Sequence, residues 1–196
     1  TGVGPHNDSD TLYFVVAFDE VVVVAGGGTP TLSLSSGGTA TYDNGSGSAA
    51  LTFEYVVGSS DNTTDLDNGA SFTLTSTTIK DSTGNNIVNT VPNGTDAGSL
   101  KTDYDIVVDT AEPTLTSATT SKADGTYTDN TTITIDVLFS EVVLVAGGTP
   151  TIALNNGGAS ASYTGGSNSN TLSFLYTITA GDNAADLDTN GAIDLA

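Results

Sequence analysis

Apolar and polar positions alternate with a period of two through most of the chain, the spacing of half-buried strands. Leu12, Phe14 and Val16 alternate with Tyr13, Val15 and Ala17, predicting a strand over 12–18 whose second face is also fairly apolar. A β-branched run follows at 21–24. Asp19 and Glu20 interrupt the two, which predicts a bulge or a switch between sheets. Further strands are expected at 31–35 and 39–42. Another is expected at 51–57, with Leu51, Phe53, Tyr55 and Val57 facing inward. An acidic loop over 59–68 carries Leu66 as its plug into the core. Phe72 with Leu74, then Ile79, mark two more strands, residues 81–86 a turn, and Ile106 with Val108 the strand that closes the pattern. Gly, Asn and Asp supply the turns. No segment has helical periodicity. The pattern predicts an all-β protein of antiparallel β-sandwiches in tandem.

The pattern occurs twice. Phe18 to Thr31 (FDEVVVVAGGGTPT) returns as Phe139 to Thr151 (FSEVVLVAGGTPT), offset by 121 residues before the glycines and 120 just after them. Tyr42, Leu51, Phe53 and Tyr55 match Tyr163, Leu172, Phe174 and Tyr176, and Asp61, Asp65 and Asp67 match Asp182, Asp186 and Asp188. A repeat of this length reads as an array of domains. Two are expected, 1–112 and 113–196, with Pro113 stiffening the junction. The first has no counterpart of the strand predicted over 114–119, and the second none of residues 76–109. The expectation is a window from a longer tandem array, or strands supplied by neighbouring molecules. No signal peptide is visible and the chain does not begin with Met, so a processed form or fragment is expected.

Charge narrows the function. Lys80, Lys101 and Lys122 are the cations, against 23 acidic residues, for a formal net charge of −20. Nothing neutralises phosphates, which excludes nucleic acid as a partner and disfavours anionic membrane surfaces. No apolar run approaches a membrane span. With no cysteine there is no disulfide, thiol catalyst or thiolate metal site. Acidity on this scale keeps a chain soluble and also invites cations.

Residues 106–114 (IVVDTAEPT) followed by 123–127 (ADGTY), with 133–143, 148–154 and 79–85, give the chain a family likeness. It resembles the bacterial immunoglobulin-like repeats that form extender or stalk modules of large repetitive adhesins. Glu112 departs from that pattern, in which a small or hydroxyl residue precedes the proline. The resemblance implies a secreted, cell-surface, rod-like tandem of sandwiches, often stiffened by calcium and without catalytic activity. Its partners would be neighbouring repeats of the same chain or identical subunits in a filament, with any glycan or surface ligand engaged elsewhere in the parent protein.

Two acidic groups suit Ca2+, which takes six to eight oxygen ligands. One surrounds the junction: Asp81, Asn85, Asp103, Asp105, Asp109, Glu112 and Asp124. The other is Asp61, Asp65 and Asp67 with their repeats Asp182, Asp186 and Asp188. The competing reading makes these residues turn formers, and the second group a loop pinned by Leu66 or Leu187. Its spacing is not that of an EF-hand. Catalysis finds little support: a catalytic triad would rest on His6, the single histidine, and the carboxylates surround no evident cleft. With no Trp, sugar stacking is poorly served. The leading expectation is a mechanical module of an extracellular filament, adhesin or surface layer. The alternative is a glycan- or protein-binding module using the loops 43–48 and 164–170.

Overall fold

The computed structural model describes residues 5–194; residues 1–4, where the opening loop is expected, and 195–196, where the repeat pattern ends, lie outside the described residues. The chain forms two compact units, Thr1–Ala111 and Glu112–Ala196. Every pair of named strands in both is antiparallel.

Unit 1 contains β1 (Thr11–Gly26), β2 (Thr31–Leu34), β3 (Thr39–Asn44), β4 (Ser48–Val56), β5 (Asn62–Thr63), β6 (Asn68–Thr73), β7 (Thr77–Asp81) and β8 (Val108–Asp109). Six of them form one sheet in the order β6-β2-β3-β4-β1-β7, and β5 pairs with β8. A single helical turn, α1 (Leu100–Asp103), is capped by the Ser99 hydroxyl, which accepts from the Thr102 amide. One turn is too short to leave a periodic signal, so the sequence does not announce it.

The break at Asp19 and Glu20 is a bulge. β1 pairs with β4 from Thr11↔Val56 to Ala17↔Ala50, then the register jumps to Val22↔Ser48. From Val22↔Asp81 to Gly26↔Thr77 the same strand pairs with β7. The bulge thus lets one strand take a second neighbour beyond it. Leu51, Phe53, Tyr55 and Val57 all face the core and are fully buried. The Phe53 ring stacks on Phe72 with centroids 5.1 Å apart and meets Tyr42 edge-on at 6.0 Å. Burying such a ring contributes about 1.5–3 kcal/mol.

Unit 2 contains β9 (Leu115–Thr119), β10 (Thr132–Val143), β11 (Thr151–Leu154), β12 (Ser160–Gly165), β13 (Ser169–Thr177) and β14 (Thr189–Asp194), ordered β14-β11-β12-β13-β10-β9. Its registers copy unit 1. β10 pairs with β13 from Thr132↔Thr177 to Leu138↔Thr171, then jumps to Val143↔Ser169. The glycine missing from the second copy is compensated. The amide of Leu34 donates to Gly38, whereas that of Leu154 donates to Ala159, one residue further on. The extra residue in this turn restores the offset of 121, so Leu32↔Ala40 becomes Ile152↔Ala161 with both pairs still buried.

The two units differ at their edges. In unit 2, β9 covers β10 from Asp136 to Phe139. The matching stretch of β1, residues 15–18, has no strand on that side among the described residues, and Val15 is 67% exposed. Conversely β7 covers Val22 to Gly26 in unit 1, while the matching residues 143–147 have no such cover among the described residues, and Leu144 is 74% exposed.

Candidate functional site

Each unit contains a tyrosine–aspartate latch, buried in unit 1 and part-buried in unit 2. In unit 1, Tyr55 on β4 donates its hydroxyl proton to Asp61 Oδ2 at 2.7 Å. The Gly58 amide donates to the same oxygen at 2.9 Å. Because Tyr55 has one proton to give, the Ser36 hydroxyl, 2.9 Å away, must donate to it. Burial pushes the Tyr55 hydroxyl up from 10.0 to about 12; the Ser36 bond lowers it and the Asp61 carboxylate adds to the rise. The latch leaves no room at Gly38, where a Cβ would stand 2.4 Å from the Tyr55 ring and 2.6 Å from Asp61 Oδ2.

Unit 2 repeats the device with one change. Tyr176 donates to Asp182 Oδ2 at 2.7 Å, and Thr179 donates to that oxygen through its amide at 2.8 Å and its hydroxyl at 3.0 Å. Asn156 replaces Ser36 and donates its side-chain amide to the tyrosine. Burial, with Asp182 beside it, pushes Tyr176 up to about 12. The Tyr176 hydroxyl and the Thr179 amide hold the Asp182 carboxyl below its usual 3.8. The Asn156 side-chain oxygen, Oδ1, is buried with no hydrogen-bond partner. The sequence reveals the repeated Tyr and Asp six residues apart, but not that they touch.

Several of the remaining acidic residues are engaged with the backbone or with neighbouring polar side chains. Asp81 Oδ1 accepts from the amides of Thr83 and Asn85, and Oδ2 from the Thr83 hydroxyl and the Asn85 side chain. The Asn85 side-chain bond is the leading cause that lowers this carboxyl to about 2. Asp67 accepts from the amides of Asn68 and Gly94, Asp188 from Thr189, and Asp109 from Ala111. Asp65 is half-buried, with one oxygen 3.9 Å from Lys101 Nζ and the other buried without a partner. Asp103, Asp105, Glu112, Asp124 and Asp186 are exposed. Among the described residues no group of three or more His, Asp or Glu is placed to hold a metal ion. Asp81 accepts two internal donors on each of its oxygens, whereas the bonds to the latch carboxylates all fall on Oδ2.

His6 Nδ1 lies 3.3 Å from Asp10 Oδ2. Its backbone brackets the closing strand: the amide donates to Val107 and the carbonyl accepts from Asp109. The hairpin tips weighed as binding loops are pinned alike in both copies. The Ser46 amide donates to the Tyr42 hydroxyl and the Val24 amide to Ser46 Oγ, and Ser167, Tyr163 and Val145 repeat both bonds. A cavity of about 440 Å³ opens in unit 2 beside its latch. No helix among the described residues is long and apolar enough to cross a membrane.

No family model, curated protein or solved structure matches the chain.

Proposed function

We propose that the chain is a non-catalytic structural module of an extracellular filament, adhesin stalk or surface layer, made of immunoglobulin-like sandwiches in tandem. One observation carries this reading: the same strand registers, bulge and tyrosine–aspartate latch are built twice in one chain. Repetition of a whole sheet frame suits a protein whose work is to extend and space. The pinned hairpin tips favour this over the glycan- or protein-binding alternative, since both copies hold them rigid in the same way. Calcium enters this proposal as an ion taken up by the acidic residues, with Asp103, Asp105, Glu112, Asp124 and Asp186 the exposed carboxylates among the candidates.

Single-molecule stretching tests the mechanical role. Two discrete unfolding events are expected, each releasing about 3.4 Å per residue of its unit. Smooth extension at low force would refute a mechanical role. Specific retention on a glycan array would favour the binding alternative.

A further inference from the structure

The outer face of the unit 1 sheet carries a carboxylate that the fold does not use. Glu54 stands on β4 directly opposite Tyr13 of β1 on one side and Thr41 of β3 on the other. Both β3 and β4 are paired along both flanks, so this is the middle of a sheet face and not an edge. Side chains opposite one another in this way have Cβ atoms about 4.5–5.5 Å apart. Glu54 is half-buried, yet its carboxylate has no hydrogen bond or ion pair among the described residues. Tyr13 beside it is 59% exposed. Thr39, Thr41 and Asp43 continue the same face along β3 by alternation. With Tyr42, Glu54 and Val56 they line an open trough of about 340 Å³. Asp43 is exposed and accepts from the Asn44 side chain.

Unit 2 shows that the sheet does not need this chemistry. The register is copied there, but Thr134, Leu175 and Ser162 stand where Tyr13, Glu54 and Thr41 do. Thr164 takes the place of Asp43 and Thr177 that of Val56. The same frame therefore folds with a neutral face that has no aromatic ring on it. In unit 1 a half-buried carboxylate is left unpaired in a chain whose formal net charge is already −20. Burial and like charge both disfavour that arrangement until a cation meets it.

We propose that this trough is a docking site for an arginine side chain presented by a basic partner polypeptide. A guanidinium is planar, always charged and offers five N–H donors. Its fork matches the Glu54 carboxylate and its flat face the exposed Tyr13 ring. The remaining N–H groups are left for the Thr39 and Thr41 hydroxyls and for Asp43. A second copy of this chain does not suit the trough, since it brings the same net charge of −20 and has no arginine. Of its three lysines, Lys101 lies beside Asp65 and Lys122 over the Tyr127 ring. A neutral sugar would use the Tyr13 face and leave the Glu54 charge unmet. The inference stands on this face alone and does not depend on the mechanical role.

The test titrates the full chain, isotope-labelled, with N-acetyl-arginine methylamide, a probe of single charge. At about 0.15 M salt, general attraction to the acidic surface is screened beyond about 8 Å. Shifts are expected at Tyr13, Thr41 and Glu54, while Thr134, Ser162 and Leu175 stay still. The citrulline analogue, of the same shape without the charge, should leave both units unshifted. Glu54→Gln should weaken binding at least about tenfold, and Tyr13→Thr about two- to fivefold. Glu54→Leu installs the residue that unit 2 carries at this position, so it should abolish the shifts and keep the chain folded. No shift at Tyr13, Thr41 and Glu54 up to the solubility of the probe overturns the site. Equal binding of the citrulline analogue, or shifts spread evenly over both units, does the same. Stronger shifts of these residues with cellobiose than with the arginine probe at equal concentration assign the trough to a sugar and overturn the partner.

Discussion

Replacing Tyr55 with Phe keeps the buried ring and removes only the hydroxyl of the unit 1 latch. The hydroxyl gives one hydrogen bond to the Asp61 carboxylate and takes one from Ser36. A bond to a charged group contributes about 1.5–3 kcal/mol, and Asp61 keeps the Gly58 amide, so a loss of ~2 kcal/mol is expected. In a domain of this size that lowers the melting temperature by roughly 8–16 °C. Hydrogen exchange followed by mass spectrometry isolates the effect. Peptides from β4 should exchange about 30-fold faster through global opening of unit 1, while those from β13 keep their rate. The pH dependence gives a second, independent signature. The folded Tyr55 hydroxyl sits near 12, above its ordinary 10.0. A raised folded value means that its contribution is complete below pH 10 and is lost as pH rises from 10 through 12. The parent chain should lose on the order of 3 kcal/mol across that window from this group, and the Phe variant should not. Exchange within threefold of the parent, or an identical alkaline loss in both chains, would refute the latch as a stabilising element.

Leu66→Ala should cost unit 1 about 2–5 kcal/mol in urea unfolding, and Leu187→Ala should cost unit 2 clearly less, because Leu187 is only half-buried; equal costs would contradict that difference in burial. Gly38→Ala drives a Cβ into the Tyr55 ring, so a loss of about 1–3 kcal/mol is expected by the same measurement. Asp182 is held below its usual 3.8, so its contribution is present above that value and fades as pH falls through the folded value. Asp182→Asn should flatten the acid dependence of unit 2 exchange between pH 5 and pH 2, and an unchanged profile would count against the bond to Tyr176. Calcium should raise the melting temperature more than sodium at equal ionic strength, and identical melting in the two would remove it from the proposed function.

The strands were legible because side-chain alternation directly reports which face is buried, as at Leu51, Phe53, Tyr55 and Val57. The bulge was legible because neighbours in a strand point to opposite faces, so Asp19 and Glu20 put a carboxylate on each side of a strand whose two faces are otherwise apolar. The latch was only half legible. Tyr55 and Tyr176 look like ordinary core aromatics, and Ser36 and Asn156 like turn residues; their meeting depends on a three-dimensional crossing of the β2–β3 turn with the loop after β4. The bonds of the acidic turns were not legible either. Asp81 and Asn85 have the composition of a metal loop, and the turn between them brings the carboxylate onto its own backbone and the Asn85 side chain. Hairpin tips such as Gly45 to Gly47 look variable and free, and the bonds that pin them come from β1 and β3.

The bulge in β1 has a consequence for cooperativity. One continuous strand pairs with β4 before the bulge and with β7 beyond it. Peeling either neighbour away frays the strand that holds the other, so the two ladders of unit 1 should open together rather than one at a time.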